Sequence, residues 1–385
     1  MCHFFSLVLV SLPPLHSPMA KLLLALYTII IPLQLLSSSY NASQLDSIPQ
    51  HAPGAGRNST ILVPVAFYQE ETSVGFGLMG GVYFTKNRLY RSSNLQGFVI
   101  YTLKNQVKLA LLPKFYSQNQ RYYFSGHLRA THYPDKYFGV GPSTSSQQEE
   151  SFTSREVSIL AEGQYLINHH LMLGPALSYS TGFAYNLVPE GELAMARPPG
   201  TDPYHMPAVG VVTSWDTRDN ILYASQGELV KLSVLTSQRL FGSTLPNIRA
   251  KADVRKFIEI APNHIIATRL FADMVWGDSP FQDLPSLGGN EVLRGYYHGR
   301  YRDTKMISLT SEYRFPIVWR ITGGAFASAA DVQPSLSAFN LKSIKYSFGG
   351  GLRFRVNQAK MHIRFDLGVT LDGRPAVYIT ANESF

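Results

Sequence analysis

The last third of the chain alternates between apolar and polar side chains. In residues 306–315 one set of alternate positions carries Ile307, Leu309, Tyr313 and Phe315. The positions between them carry Ser308, Thr310, Glu312 and Arg314. Because successive side chains of a β-strand point to opposite faces, this period predicts a strand with one apolar and one polar face. Residues 344–356 and 360–371 show the same alternation.

The same period predicts sixteen strands along the chain. Eleven precede a glycine-rich segment, and they lie at 61–69, 73–84, 95–103, 106–117, 121–133, 152–165, 169–185, 206–215, 227–237, 246–260 and 264–276. Five follow it, at 304–317, 320–331, 344–356, 360–371 and 375–385. Spans of about 9 to 11 residues cross a bilayer when tilted, so the predicted strands are long enough to do so.

The connections between the predicted strands are long at one end of the sheet and short at the other. The long ones follow odd-numbered strands and lie at 134–151, 186–205 and 277–303. Short ones follow even-numbered strands, such as Asn168 alone and residues 262–263. An even number of antiparallel strands with long outer loops and short inner turns is the outer-membrane pattern. In such a barrel the last strand pairs with the first, since a bilayer tolerates no open sheet edge.

Composition also favours a membrane barrel. The 385 residues are 45% apolar and 12% aromatic, and only 16% are charged, against about 25% in an ordinary soluble domain. No apolar run of ~20 residues follows the N-terminal segment, which excludes a bundle of transmembrane helices. Low charge, many aromatic residues and no long apolar run are together typical of a transmembrane β-barrel. A large soluble β-sandwich stays open on composition alone.

The N-terminal segment has the pattern of a targeting signal. From Met19, the expected start, one lysine precedes an apolar stretch at 22–36, and small polar residues follow. We therefore expect residues 1–42 to be a signal peptide, 43–60 a short periplasmic segment and 61–385 the membrane barrel. A single uncleaved membrane anchor is the alternative.

The charged and reactive side chains indicate neither catalysis nor nucleic-acid binding. The net charge of +8 is spread along the chain, so nucleic acid is not an expected partner. Cys2 is the only cysteine and would leave with the signal, which excludes a disulfide framework. We predict no enzyme, no bound metal and no cofactor. A membrane-embedded hydrolase is the alternative, but its candidate histidines lack a catalytic or metal-binding order; they are His169, His170, His205 and His298.

Four motifs occur in sequence along the chain. They are YQEETSVGFG at 68–77, WDTRDNILYASQG at 215–227, LGGNEVLRGYYHGRYRD at 287–303, and a closing set of GGGLRFRV, IRFDLG and the terminal Phe385. In this combination the chain resembles the BamA/TamA family of outer-membrane barrels, also called bacterial surface antigens. Relatives of that family include two-partner secretion transporters. The most specific part of the resemblance is the Leu-Arg-Gly-Tyr core.

The resemblance implies an all-β fold, a 16-stranded antiparallel transmembrane β-barrel whose extracellular loop before strand 12 folds inward. In the family, the Arg-Gly-aromatic tip of this loop docks on acidic residues of the inner wall. Arg294 would therefore be the lock, with Gly295 permitting the turn and Tyr296 packing on the wall. Glu312 is the expected receiving acid, because alternation already places it on the inward face. An arginine suits this role since its planar fork can hold a carboxylate bidentately.

The family pattern also leads us to expect a second acid, in a Phe-x-Asp-x-Gly motif on the next strand. Here the corresponding segment reads FASAA, and Ser328 stands in the place of the aspartate. This half of the lock is therefore either missing or replaced, and Asp331 and Asp366 are the two candidates for a replacement.

Two further features are interpreted structurally. Asp216, Arg218 and Asp219 begin a turn, since Asp side chains accept hydrogen bonds from the nearby backbone, and Gly227 restarts the strand. Phe385 would be a C-terminal assembly signal whose ring lies at the inner aromatic girdle.

The resemblance implies an integral, multi-pass protein of the bacterial outer membrane that assists protein or lipid assembly or translocation. Its expected partners are outer-membrane lipid and lipopolysaccharide, and the cell's barrel-assembly machinery during its own insertion. The segment 43–60 has no room for the periplasmic repeats of family members with a machine role. The chain therefore resembles a barrel-only member, which weakens a role in inserting other proteins by itself, and a separate periplasmic protein is a candidate partner. The alternative function is a passive or gated pore for small solutes, plugged by the 277–303 loop.

Overall fold

The alternating segments form one antiparallel sheet of sixteen strands in the computed structural model. The structure describes residues 58–69, 73–84, 93–168, 170–356, 360, 362–371, 373 and 375–381. The predicted signal peptide, nearly all of the predicted periplasmic segment, His169 and Phe385 lie outside the described residues.

The strands follow chain order around the sheet. Their bounds are β1 Ser59–Gln69, β2 Ser73–Phe84, β3 Ser93–Thr102, β4 Val107–Tyr116, β5 Tyr122–Tyr137, β6 Glu150–Leu166, β7 Leu171–Tyr185, β8 Tyr204–Asp216, β9 Gly227–Ser237, β10 Asn247–Ala261, β11 His264–Gly277, β12 Ser286–Leu287, β13 Tyr301–Arg302, β14 Lys305–Val318, β15 Ile321–Gln333, β16 Lys345–Arg355, β17 His362–Thr370 and β18 Pro375–Ala381. β12 and β13 form a separate hairpin, so β11 pairs directly with β14, the twelfth strand of the sheet.

Helical structure is confined to short pieces in the loops. A short helix, α1, spans Glu192–Ala196, and 3-10 turns lie at Ser146–Gln148, Arg239–Phe241, Phe281–Asp283 and Leu336–Ala338. Within the described residues no helix is long and apolar enough to cross a membrane.

The predicted number and order of strands are confirmed. β2 and β9 have the predicted bounds, whereas β5 runs on to Tyr137 instead of ending at residue 133. The additional residues include Pro134, although proline usually ends or borders a strand. In the structure Pro134 keeps its register opposite Thr153 of β6, and the ladder continues beyond it.

The register places the polar positions inside the barrel and the apolar positions outside. Glu312 on β14 is opposite Phe326 on β15, and Arg353 on β16 is opposite Arg364 on β17; all four side chains are buried. The alternate positions on these strands are exposed and apolar, including Leu309, Phe348, Leu352 and Leu367. This division is typical of a transmembrane β-barrel, in which the apolar face contacts lipid and the polar face lines the lumen.

The two ends of the barrel differ. The loop end carries the long connections at 138–149, 186–203 and 278–304, and the turn end carries short ones such as 262–263. This topology predicts that the loop end is extracellular and the turn end periplasmic.

A seam lies between the first and last strands. Every neighbouring pair along the sheet from β1 to β18 is joined by an antiparallel ladder. In the part of the chain that the structure describes, no ladder joins β1 to β18. The predicted pairing of the last strand with the first is thus not observed among the described residues, whereas ladders join all the other neighbouring strands of the sheet.

Candidate functional site

The segment between β11 and β14 folds from the loop end into the lumen, and we call it the lock loop, residues 278–304. Gly288 and Gly295 allow the backbone of this loop to turn, because their φ values of 107° and 115° are rarely adopted by residues with a side chain. Leu287 and Leu293 anchor it in a buried cluster with Met306, Ala330 and Val332 of the barrel wall. The tip of the loop is thereby held deep inside the barrel.

Arg294 at this tip is bound by two carboxylates from the barrel wall. Its Nη2 donates to Glu312 Oε2 at 3.0 Å, and its Nη1 donates to Asp366 Oδ2 at 2.5 Å. The guanidinium carbon also lies 3.4 Å from the ring centroid of Phe326, which is a cation–π contact. The Arg294 side chain is only 3% exposed, so this cation depends on these groups for compensation.

The same two carboxylates also form ion pairs with three arginines of the lumen wall. Glu312 lies 2.8 Å from Nε of Arg314 and 2.9 Å from Nη2 of Arg353. Asp366 lies 3.1 Å from both Arg353 and Arg364. Six buried charged side chains from the loop and from β14, β16 and β17 thus form one network. Alternation already placed the three wall arginines inward, but nothing in the sequence indicated that they share these two acids.

Of the two candidates for the second acid, Asp366 and not Asp331 binds Arg294. Asp331 does not reach the lumen, because it falls on the outward-facing register of β15, where it accepts hydrogen bonds from Gln333 Nε2 at 2.9 Å and Ser343 Oγ at 2.7 Å. Ser328 does face inward but accepts a hydrogen bond from Thr310 Oγ1 at 3.0 Å. Asp366, three strands from β14 in the sheet, therefore stands beside Arg294 in place of an acid on the adjacent strand.

The arrangement around Arg294 depends on the fork of a guanidinium. Replacing Arg294 with lysine keeps the charge, but one ammonium nitrogen cannot occupy the positions of both Nη1 and Nη2, which donate to two different carboxylates. We expect Arg294→Lys to lower the free energy of unfolding by about 1.5 to 3 kcal/mol, the range for losing a hydrogen bond to a charged group. Urea unfolding in detergent micelles measures this value, and a stability equal to that of the wild type would contradict it.

The last strand also binds the backbone of the loop tip. The hydroxyl of Tyr378 on β18 accepts a hydrogen bond from the Gly295 N–H at 2.9 Å and donates to the Tyr296 carbonyl oxygen at 3.3 Å. The Tyr296 ring packs edge-on against Tyr301 with centroids 5.9 Å apart. Neither contact of Tyr378 was predicted, because the sequence contains no signal for which wall the tip would meet.

The absence of a side chain at Gly368 on β17 leaves space for the tip of the lock loop. A Cβ at Gly368 would lie 2.7 Å from the carbonyl carbon of Arg294 and 2.8 Å from the nitrogen of Gly295. Both atoms belong to the loop backbone, which cannot move aside as a flexible side chain can. Gly368 therefore permits the close approach of the tip to the wall.

Loops cover the lumen above the lock. The Phe281 N–H donates to the Pro199 carbonyl oxygen at 2.7 Å, and Arg302 Nη1 donates to the Phe281 carbonyl oxygen at 2.9 Å. Phe281 itself belongs to a buried apolar cluster with Tyr137, Phe152, Ala184 and Leu193. The loop end is thus closed by main-chain hydrogen bonds and by packed aromatic rings.

The turn between β8 and β9 begins as its sequence predicts. Arg218 donates from Nε and Nη2 to the Asp216 carboxylate at 3.0 Å and 2.9 Å, and Gly227 begins β9 with a φ of 95°. Asp219 accepts from the Ser225 N–H at 2.8 Å. Burial opposes its charge, but this and neighbouring hydrogen bonds prevail and lower the pKa of the Asp219 carboxyl. The resulting stabilisation is complete above the unfolded pKa of about 3.9 and is lost as the pH falls below it.

The histidines that were weighed for catalysis lie in separate places. The ring of His170 is beside Trp215 at the turn end, with centroids 5.4 Å apart. His205 lies at the start of β8, and His298 lies in the lock loop, over Gly289. The absence of an enzymatic activity stays a prediction from the sequence.

Comparison with known proteins identifies the domain. The model of the Omp85 superfamily domain matches residues 56–378. No curated protein sequence matches the chain at a significant level.

Solved structures share the fold at low sequence identity. BamA from Haemophilus ducreyi lacking POTRA domains 1-3 has a TM-score of 0.55 and 12% identity, covering 85% of this chain and 70% of that chain. CdiB from Escherichia coli has a TM-score of 0.54 and 12% identity, covering 84% and 62%. CdiB from Acinetobacter baumannii has a TM-score of 0.51 and 10% identity, covering 84% and 59%. The chain thus spans less than two thirds of the length of both CdiB chains.

Proposed function

Because the chain belongs to the Omp85 superfamily, we propose that this integral outer-membrane β-barrel assists the assembly or translocation of protein or lipid through the seam between β1 and β18. The lumen is a less favourable route, since the lock loop occupies it and packed loops cover its loop end. A client would instead meet the barrel at its side, where lipid and strand edges are both accessible.

The seam is the observation that carries this proposal. Separating two laddered strands breaks several backbone hydrogen bonds, each with a net value of about 0.5 to 1.5 kcal/mol. In the described residues no such ladder joins β1 to β18, although one joins every other neighbouring pair. The wall therefore opens there at the lowest cost in free energy, and an open strand edge can pair with an incoming strand.

Cross-linking the seam tests the proposal. We expect a disulfide between cysteines introduced in β1 and β18 to abolish the ability of the barrel, in liposomes, to accelerate folding of an unfolded outer-membrane protein. Folding of that probe is followed by its altered mobility in gels. The matched control is a disulfide between Ala252→Cys and Ala272→Cys, which face each other in the existing β10–β11 ladder. Equal activity of the two cross-linked forms would refute the seam as the route.

The second candidate function is a pore for small solutes, plugged by residues 277–303. It is favoured by the polar lumen, in which the Lys251 side chain on the inward face of β10 is 42% exposed. Deleting residues 288–300 would then produce conductance in planar bilayers. A deletion variant that folds and stays non-conducting would count against a pore.

A periplasmic partner is proposed because Omp85 proteins act together with other envelope components. Pull-down from detergent-solubilised outer membranes would identify proteins that travel with the barrel. A partner with periplasmic repeats would support a role in assembly, whereas measurable solute flux without any partner would support the pore.

A further inference from the structure

The turn between β8 and β9, residues 217–226, does not stay at the rim of the barrel but folds into the lumen from the turn end. Asn220 redirects it, because its Oδ1 accepts hydrogen bonds from the N–H groups of Leu222 at 2.8 Å and Tyr223 at 3.0 Å. Leu222, Tyr223 and Ala224 are consequently only 8%, 9% and 4% exposed. A short turn in which three successive residues are buried must have partners inside the barrel.

One set of partners lies on the first two strands. Leu222 packs in a buried cluster with Tyr83 of β2, which is 0% exposed, and with Ile61 of β1. Ile221 packs against the same cluster. The turn therefore crosses the lumen from β8 and β9 to the N-terminal side of the seam.

A second set of partners lies on the other side of the seam. The Tyr223 ring stacks on the imidazole of His362 at the start of β17, with centroids 4.4 Å apart and planes inclined by 29°. The guanidinium of Arg314 on β14 lies 5.2 Å from the centroid of the same ring. Beside them, Lys360 Nζ lies 3.8 Å from the Asp219 carboxylate. Adjacent residues of one turn thus contact both sides of the seam.

The base of the turn is fixed to a third part of the wall. Ala224 packs with Phe257 of β10 and Ala267 of β11, both almost fully buried. The Asp216–Arg218 ion pair holds the start of the turn. These contacts hold the base of the turn that carries Leu222 and Tyr223 against the barrel wall.

We infer that residues 217–226 form an internal clasp, in which Leu222 and Tyr223 are positioning residues that hold β1 and β2 together with β17 across the seam. The first and last strands have no ladder between them in the described residues. Side-chain contacts of the clasp hold these strands in place, as backbone hydrogen bonds do between the other neighbouring strands. The inference goes beyond the proposed function, since it concerns how the seam is held and not what passes through it.

The clasp also contacts the lock. Arg314, which faces the Tyr223 ring, is bound to Glu312, and Glu312 is bound to Arg294 of the lock loop. A continuous set of contacts therefore runs from the loop end to the turn end of the lumen.

Hydrogen exchange measured strand by strand tests the clasp in the full-length barrel in lipid nanodiscs. We expect Leu222→Ala and Tyr223→Ala to accelerate amide exchange in β1, β2 and β17 by about tenfold or more, while β5 to β7 exchange as in the wild type. Tyr223→Phe keeps the stacked ring and should accelerate exchange much less than Tyr223→Ala does. Unchanged exchange in β1, β2 and β17, or equal acceleration in all strands, would overturn the inference.

A matched control separates the clasp from a general loss of packing. Leu193→Ala removes the same atoms from the buried cluster at the loop end, so it should affect residues 186–203 and not β1. Should the clasp variants fail to fold, a disulfide between Leu222→Cys and Tyr83→Cys provides the reverse test. Its formation should slow exchange in β1 and β2 relative to the reduced protein, and equal rates in the two forms would reject the clasp. Neither measurement depends on assembly or translocation activity.

Discussion

Glu312→Ala is expected to lower the free energy of unfolding of the barrel by about 3 to 5 kcal/mol, the range for removing one member of a buried charge pair. Glu312 is fully buried and binds three arginines, Arg294, Arg314 and Arg353. Its removal leaves these three buried cations with Asp366 as the remaining carboxylate of the network. Most of this loss of stability comes from desolvation of the arginines and less from the lost ion pairs, because the positive charges stay buried without an opposing charge.

Urea unfolding of the purified barrel in detergent micelles measures this effect. Thr310→Ala is the matched control, since Thr310 is the neighbouring inward residue on β14 and makes a neutral hydrogen bond to Ser328. Its expected cost is about 0.5 to 1.5 kcal/mol, the net value of such a bond. If the two variants were equally stable, Glu312 would not be the centre of the network.

Gly368→Val is expected to expel the tip of the lock loop from the wall. The added Cβ would approach the backbone of Arg294 and Gly295 to within 2.8 Å, closer than non-bonded atoms tolerate. Overpacking of this kind typically costs about 1 to 3 kcal/mol, and the loop can relieve it only by moving. Arg294 would then leave Glu312 and Asp366 and become accessible at the loop end.

Limited trypsin digestion follows this movement, because the enzyme cleaves after arginine. We expect rapid cleavage after Arg294 in Gly368→Val and slow cleavage in the wild type. Gly163→Val is the control, since a Cβ there would be 3.5 Å from Phe124, an ordinary contact on the outer face of the barrel. Slow cleavage after Arg294 in a folded Gly368→Val barrel would show that β17 does not receive the tip.

These two predictions concern different properties of one site. Glu312 contributes charge to the lumen wall, and Gly368 contributes space. Asp366 lies two residues before Gly368 on the same strand, so β17 supplies both the second carboxylate and the opening beside it. Ser328 stands where the family resemblance leads us to expect an aspartate, and Asp366 on a different strand binds the Arg294 guanidinium.

The amino-acid sequence by itself determined the strands, their order and the face that each residue presents. These properties are local, since the direction of a side chain on a strand depends only on its position in a period of two. Glu312, Arg314 and Arg353 could therefore be assigned to the lumen, and Asp331 could have been excluded from it by the same alternation along β15.

Only the tertiary structure decided which inward side chains meet. Asp366 reaches Arg294, Tyr378 binds the loop tip, and Tyr223 stacks on His362, although each pair is separated by more than 70 residues in the chain. Such contacts depend on the curvature of the whole sheet, which sets the strands that face one another across the lumen. They depend also on how far a loop or turn enters that space, and no local period in the sequence records either quantity.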